Sequence, residues 1–556
     1  MKAIFLFIQV LYFFVAAQGQ VVFSSSRNAD TPKISTTNSF DVLKYKLDIG
    51  LYQCYFHPYP NSFSAHQRIT LLVDSVLSGI ALNAVNTSMA IDSVSFAGIS
   101  FTHQSDTLKI LLDRTYQPGE ILDLDIFYRH HDVTDNGFYA SNGTVYTDSP
   151  PEGARKWMPC RDQLSDKAVW ELIARVPSSV RLGSTGRLAD STIAGDTISY
   201  HWISDNPVST YLITLSSKIG FMIHKKYWRK LSNPDDSIPV RIYYNAGENI
   251  ATIDSTILPL TDFFSYKFGD YPFEKIGFAT LNSSFPWGGM ENQSMVNLGP
   301  YGYNDIDIIA HEHAHQWFGD LITCGTWADI WLNEGFGTYC QNLWVEHIQG
   351  PGAYKSSLSA LASYYLTNNP GWPLYNPEWA IRTPAAGYLY NQSVSYNKGA
   401  CVLHQLRYVM GDSLFFQLMH AYATDTSLMY KNAYTRDFTG KASEISGADL
   451  NWFFNEWVFA PNHPIYNNTY DFDSLAMNRW RVTFTVSQSQ ENTIIFKMPL
   501  QIRITFSDNA DTLLRFMNDI NHQDFIFSFS KEPVTLSFDP ERNILLKQAT
   551  TIRKSW

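Results

Sequence analysis

Two histidines four residues apart, with a glutamate after the first, stand in the run His311-Glu312-His313-Ala314-His315. On a helix, residues four apart lie within roughly 40° of one another around the axis. His311 and His315 therefore project side by side and can bind one metal ion through imidazole nitrogens. Glu312 flanks the pair and can reach a water on that ion. His313 sits about 200° around the axis from His311, so it is not a ligand. Eighteen residues separate His315 from Glu334, in Trp331-Leu332-Asn333-Glu334-Gly335-Phe336. Two histidines and one carboxylate leave the fourth zinc position open for water, as catalytic zinc requires. Asp329, just before Trp331, is either an acceptor for a metal-bound imidazole or a solvated carboxylate.

This set of ligands needs an antiparallel helix pair that returns Glu334 to the histidine-bearing face. Helical spacing extends over Thr252 to Phe268, Ile306 to Phe318, Trp327 to Ile348, Tyr354 to Leu366, Lys398 to Met410 and Asp412 to Tyr422. Gly335 and Gly337 cost helix stability and fit a close approach of two helix backbones. Before this region, Ser39 to Lys218 is β-rich. Leu43, Tyr45, Leu47, Ile49 and Leu51 alternate, as do Leu122, Leu124, Ile126 and Tyr128, which predicts an antiparallel sheet. Alternation returns after Pro461 and Pro464, at Val482, Phe484, Val486 and at Ile502, Ile504, Phe506, as in a small β-sandwich. The fold class is α+β: an amino-terminal β domain (20–220), a mainly helical catalytic domain (221–460) and a carboxy-terminal β-sandwich (461–556).

The stretch HEHAHQWFGDLITCGTWADIWLNEGFGTY resembles the zinc-binding core of the gluzincin aminopeptidases, the family that includes alanyl aminopeptidase. Gly288-Gly289-Met290-Glu291-Asn292 is similar to that family's G-x-M-E-N motif, and Tyr396-Asn397-Lys398-Gly399 to its Y-x-K-G segment. Ala154 to Asp162, followed by Lys167-Ala168, resembles a further signature. The resemblance implies a thermolysin-like catalytic domain and one zinc ion on His311, His315 and Glu334. It also implies Glu312 as general base, Glu291 on the substrate's free α-amine, with Gly288, Gly289, Met290 and Asn292 shaping that loop, and Tyr396 on the oxyanion. Lys398 is expected to be structural or at the surface. The implied partners are peptides with a free amino terminus.

Two departures qualify the match. Relatives carry Gln or Glu five residues before the arginine of the A-R pair; here that position is Pro150, with Asp148 and Glu152 as the acids able to substitute. Many relatives also add a large helical domain, which is not expected here, so a more open cleft is. The rival readings are a zinc endopeptidase, which shares the metal motif but does not need Glu291, and a non-enzymatic peptide-binding relative, which would normally have lost a ligand or the base.

Composition sets the remaining bounds. Hydrophobic content of 45% and aromatic content of 15% in 556 residues support sizeable cores. A net charge of -11 argues against a nucleic-acid binder, which would normally carry a basic face. Lys2, an apolar run from Ala3 to about Val15 and small residues to Gly19 fit a cleaved signal peptide (1–19), which predicts a secreted or periplasmic protein. No later stretch is long and apolar enough for a stable membrane span. The odd, sparse set Cys54, Cys160, Cys324, Cys340 and Cys401 is read mostly as buried small hydrophobes.

Overall fold

Period-two burial organises the amino-terminal part of the computed structural model, which describes residues 39–95, 100–491 and 494–554. The signal-peptide run lies outside the described residues. In the strand Ile121–His130, Leu122, Leu124, Ile126 and Tyr128 are all buried. Phe40–Gly50 departs from strict alternation. A bulge between Val42 and Lys44 puts Val42, not Leu43, on the core side. The main sheet runs in the order Arg187–Ala194, Thr197–Ile203, Lys167–Pro177, Phe40–Gly50, Phe63–Val73, Ile121–His130, Met89–Ser95. It is mixed rather than antiparallel, because Phe40–Gly50 pairs in parallel with Lys167–Pro177. These strands are far apart in sequence, and the long intervening chain makes the crossover that a parallel pair needs.

The middle region contains the expected helices Ala251–Phe268, Ile306–Ala314, Trp331–Gln349, Pro351–Asn368, Gly399–Met410 and Asp412–Ala423. It also contains a five-stranded sheet that periodicity did not announce: Met222–Arg229, Ser237–Tyr244, Ile276–Thr280, Val296–Leu298 and Gly289–Met290. Ile276–Thr280 is buried at every position, so its sequence carries no alternation. The helix expected to reach Phe318 ends at Ala314, where the chain tightens into a turn. Gln316 N–H donates to His313 O at 3.2 Å and Trp317 N–H to Ala314 O at 3.0 Å.

At the carboxy end a four-stranded sheet faces a three-stranded one. Phe484 packs against Phe516 and Phe538, and Phe506 against Phe529, with ring centroids 6.0, 6.1 and 5.1 Å apart. Apolar burial divides into two cores. The first belongs to the amino-terminal strands but also takes in Met290, Trp327 and Ile330. The second spans the middle helices and both carboxy-terminal sheets. Lysines cross the seam: the half-buried Lys167 donates to Asp320 O at 2.7 Å and the buried Lys275 to Gly186 O at 2.7 Å. All five cysteines are buried and unpaired. Among the described residues, no helix is long and apolar enough to cross a membrane.

Buried neutral histidines give this fold an acid sensitivity. Burial pushes His404 from 6.5 down to about 3, and burial with nearby Lys398 pushes His463 down to about 4. As pH falls below 6.5, the unfolded chain takes up protons that the folded chain refuses. The stability of the neutral forms is therefore full above that pH and is lost on acidification, by up to about 1.4 kcal/mol per pH unit for each histidine. Thermal melting from about pH 7 to about pH 4 is expected to show a falling midpoint, with a shallower fall in His404→Gln. Identical slopes in the two proteins would exclude His404.

Candidate active site

The two histidines are presented by a capped helix end. The Asp305 carboxylate accepts from the backbone N–H of Asp307 and Ile308 at 2.9 and 3.3 Å, fixing the start of Ile306–Ala314. His311 lies in its last turn, and His315 follows the helix. Glu334 enters from the first turn of Trp331–Gln349. The two histidine Nε2 atoms are 3.0 Å apart, and each is 3.5 Å from Glu334 Oε2. Tetrahedral zinc with donors at about 2.0–2.2 Å has donor–donor edges of about 3.4 Å, so this triangle fits that ion. His315 Nδ1 donates to Phe318 O at 2.9 Å, which leaves its Nε2 lone pair aimed into the triangle.

Charge in this hollow is strongly coupled. Burial opposes ionisation of Glu334, yet the adjacent His311 and His315 imidazoles hold its carboxyl at about 2. Burial also opposes protonation of His315, but the Glu291, Glu334 and Glu312 carboxylates outweigh it and push its pKa well up. Such a cluster of acceptors calls for a cation.

Gly337 makes room for it. A Cβ there would lie 2.7 Å from His315 Nε2 and 3.1 Å from His311 Cε1. Of the two helix glycines, only Gly335 meets another helix backbone, with its Cβ position 2.9 Å from Gly399 Cα. Gly337 instead faces the imidazoles, which corrects the expectation for it. Gly337→Ala is expected to weaken zinc binding by about 10–100-fold, the range for disturbing a ligand's surroundings. Zinc titration against a competing chelator measures this, and an unchanged affinity would count against the triangle as the metal site.

A second group converges beside the first. Donor atoms of Glu291, Glu312 and His315 all lie within 4.8 Å of one another, and all three residues are buried. Gly289 makes room for Glu312, since any Cβ there would collide with its side chain. A Cβ at Gly288 would lie 2.8 Å from Ile308 Cδ1, and Met290 is buried. Burial raises Glu312 well above the usual carboxylate range, opposed by His315 and aided by Glu291 and Glu334. Burial likewise raises Glu291 to about 7. Tyr396 lies in a π-helical turn, Gln392–Lys398, that leads into Gly399–Met410. Its ring stacks on His311 with centroids 5.9 Å apart.

Other residues singled out by the sequence have different work. His313 points away from the triangle and bonds Thr261 Oγ1 at 2.8 Å. Asp329 meets neither expectation. It is buried and accepts from Thr435 N–H at 2.8 Å and Thr326 Oγ1 at 2.7 Å, so it serves the helix junction, not an imidazole. Lys398 is buried and donates to Ala460 O at 3.3 Å. Asn292 shapes its loop through Leu212 O at 3.3 Å and Asn297 at 2.8 Å. Near Pro150, Glu152 is engaged by Thr383 Oγ1 at 2.7 Å and Arg155 at 3.2 Å. Asp148 accepts from Trp287 Nε1 at 2.9 Å, on the approach to Gly288. Sequence reasoning missed Tyr211, whose hydroxyl reaches both Glu291 and Asn333. No local pattern marks Tyr211, although a polar Asn333 beside Glu334 in a buried helix was a usable sign.

The profile of the peptidase family M1 domain matches residues 252–457, and that of the peptidase M1 N-terminal domain matches 44–212. The chain belongs to peptidase family M1. Among curated relatives, Probable aminopeptidase 1 of Sulfurisphaera tokodaii is 26% identical over 423 residues, covering 72% of this chain and 49% of that protein. Aminopeptidase 2 of Candida albicans is 24% identical over 494 residues, covering 81% and 51%. The chain thus spans about half the length of the curated M1 relatives it matches. The M1 zinc metallopeptidase from Deinococcus radiodurans superposes with a TM-score of 0.64 at 25% identity, over 76% of this chain and 93% of that one. Donor types, spacing and family membership agree on one Zn2+ ion as the resident cofactor.

Proposed function

We propose that this chain is a zinc aminopeptidase that hydrolyses the first peptide bond of peptides with a free amino terminus. His311, His315 and Glu334 would hold the ion. When bound, zinc supplies Lewis acidity, polarising a carbonyl and making water acidic near neutral pH. Glu312 takes the proton of the attacking water and returns it to the departing amine. The Tyr396 hydroxyl donates to the oxyanion of the tetrahedral state, a contribution of about 10²–10³ in rate for one such donor. Glu291 pairs with the substrate's α-ammonium and so sets where cleavage occurs.

The observation that carries this reading is the crowding of Glu291 and Glu312 around His315, beside Glu334. Three buried carboxylates exceed the charge of one divalent ion, and a substrate ammonium balances the remainder. Gly289–Met290 is also the last strand of its sheet, so its outer edge is free to pair with a peptide backbone. A mutant of the M1 zinc metallopeptidase from Deinococcus radiodurans has been solved bound to a Tyr-Ser-Ala substrate, and a mutant two-domain M1 zinc metallopeptidase bound to L-tryptophan and to L-arginine.

The proposal includes a domain organisation: residues 20–220 as the β domain, 221–460 as a thermolysin-like catalytic domain and 461–556 as a β-sandwich. The amino-terminal apolar run supports secretion or a periplasmic address. One peptide offered with a free and with an acetylated amino end tests the activity. Much faster hydrolysis of the free form than of the acetylated one is expected, and equal rates would favour an endopeptidase.

A further inference from the structure

We propose that Tyr211 and Asn333 form a directed hydrogen-bond relay that positions Glu291 for the substrate amine. This rests on Glu291 being the amine partner. The direction of every bond in the relay follows from chemistry. The Cys324 backbone N–H, 3.1 Å from Asn333 Oδ1, can only donate, so the amide oxygen faces it. Asn333 Nδ2 is thereby turned to the Tyr211 hydroxyl at 3.0 Å, and that oxygen must accept. The hydroxyl proton is left pointing at Glu291 Oε1, 3.5 Å away. Tyr211, Asn333 and Glu291 are all buried, so bulk water does not offer an alternative donor. Trp327 packs edge-on to the Tyr211 ring, centroids 5.5 Å apart, and fixes its orientation. The Glu291 backbone is held separately, its carbonyl accepting from Gln316 Nε2 at 3.1 Å. The relay therefore acts on the carboxylate itself. It joins the amine end of the cleft to the residue next to the zinc ligand Glu334, so both ends share one rigid strut.

Tyr211 is a positioning residue, and its loss should affect substrate capture more than turnover. Tyr211→Phe is expected to raise KM for a free-amine aminoacyl p-nitroanilide about tenfold, the scale of one hydrogen bond to a charged group. Its kcat should stay within about threefold, with zinc content unchanged. The slow cleavage of the acetylated counterpart should not move, which a general structural defect would not spare. Asn333→Asp provides a second route if Tyr211→Phe folds poorly. It keeps the acceptor for Cys324 N–H but draws the Tyr211 proton away from Glu291, and the same rise in KM is expected. If the wild type discriminates free from acetylated substrate and the variants keep its KM, the relay is wrong and the aminopeptidase reading stands. If the wild type cleaves both forms equally, both fall together.

Discussion

Glu312→Gln is expected to abolish measurable turnover while the protein retains one zinc ion. The substitution preserves shape in a place that tolerates no change of shape, because Gly289 packs directly on the Glu312 side chain. It removes only the ability to accept a proton. A positioned general base contributes about 10²–10⁴ in rate, and in the proposed mechanism the same carboxylate serves both water activation and protonation of the leaving amine. Glu312 is not one of the three triangle ligands, so elemental analysis should show undiminished zinc. Full hydrolysis of aminoacyl substrates by that variant would sink the proposed mechanism.

Glu334→Ala should cost more than any change in the surroundings. Its carboxylate is the one anionic corner of the triangle and lies 3.5 Å from both imidazoles. Removing it leaves two neutral donors, and affinity should drop well beyond the roughly 10–100-fold lost with a supporting group. Purified Glu334→Ala should carry little zinc and show background activity, only partly restored by excess metal. A variant that keeps stoichiometric, tightly held zinc would show that the ion is bound elsewhere.

Much of this centre was legible because the chemistry lies in short, regular patterns. The four-residue spacing of His311 and His315 survives folding because both sit at one helix end. Glu334 could be placed because it stands in the first turn of the next long helix, which brings its carboxylate within 3.5 Å of both imidazoles. Features set by distant chain were not legible. Tyr211 comes from the amino-terminal core and meets Glu291 across 80 residues of sequence. The π-helical turn that carries Tyr396 differs from an ordinary helix by hydrogen-bond register alone, which side-chain periodicity does not report. Asp329 was misread because its buried partner Thr435 lies 106 residues further along the chain, and only tertiary contact brings the two together. The sheet of the middle region escaped notice because a strand covered on both faces shows no alternation.

The two cores meet at the cleft, and this gives its opposite walls separate foundations. Met290, beside Glu291, is rooted with the amino-terminal strands, whereas the histidine helix stands on the other core. The spacing between the proposed amine anchor and the metal triangle is thus set close to where the two cores adjoin, along a seam held by the half-buried Lys167 and the buried Lys275. Substitutions along that seam could retune which bond of a peptide reaches the reacting centre without altering any group that performs the reaction.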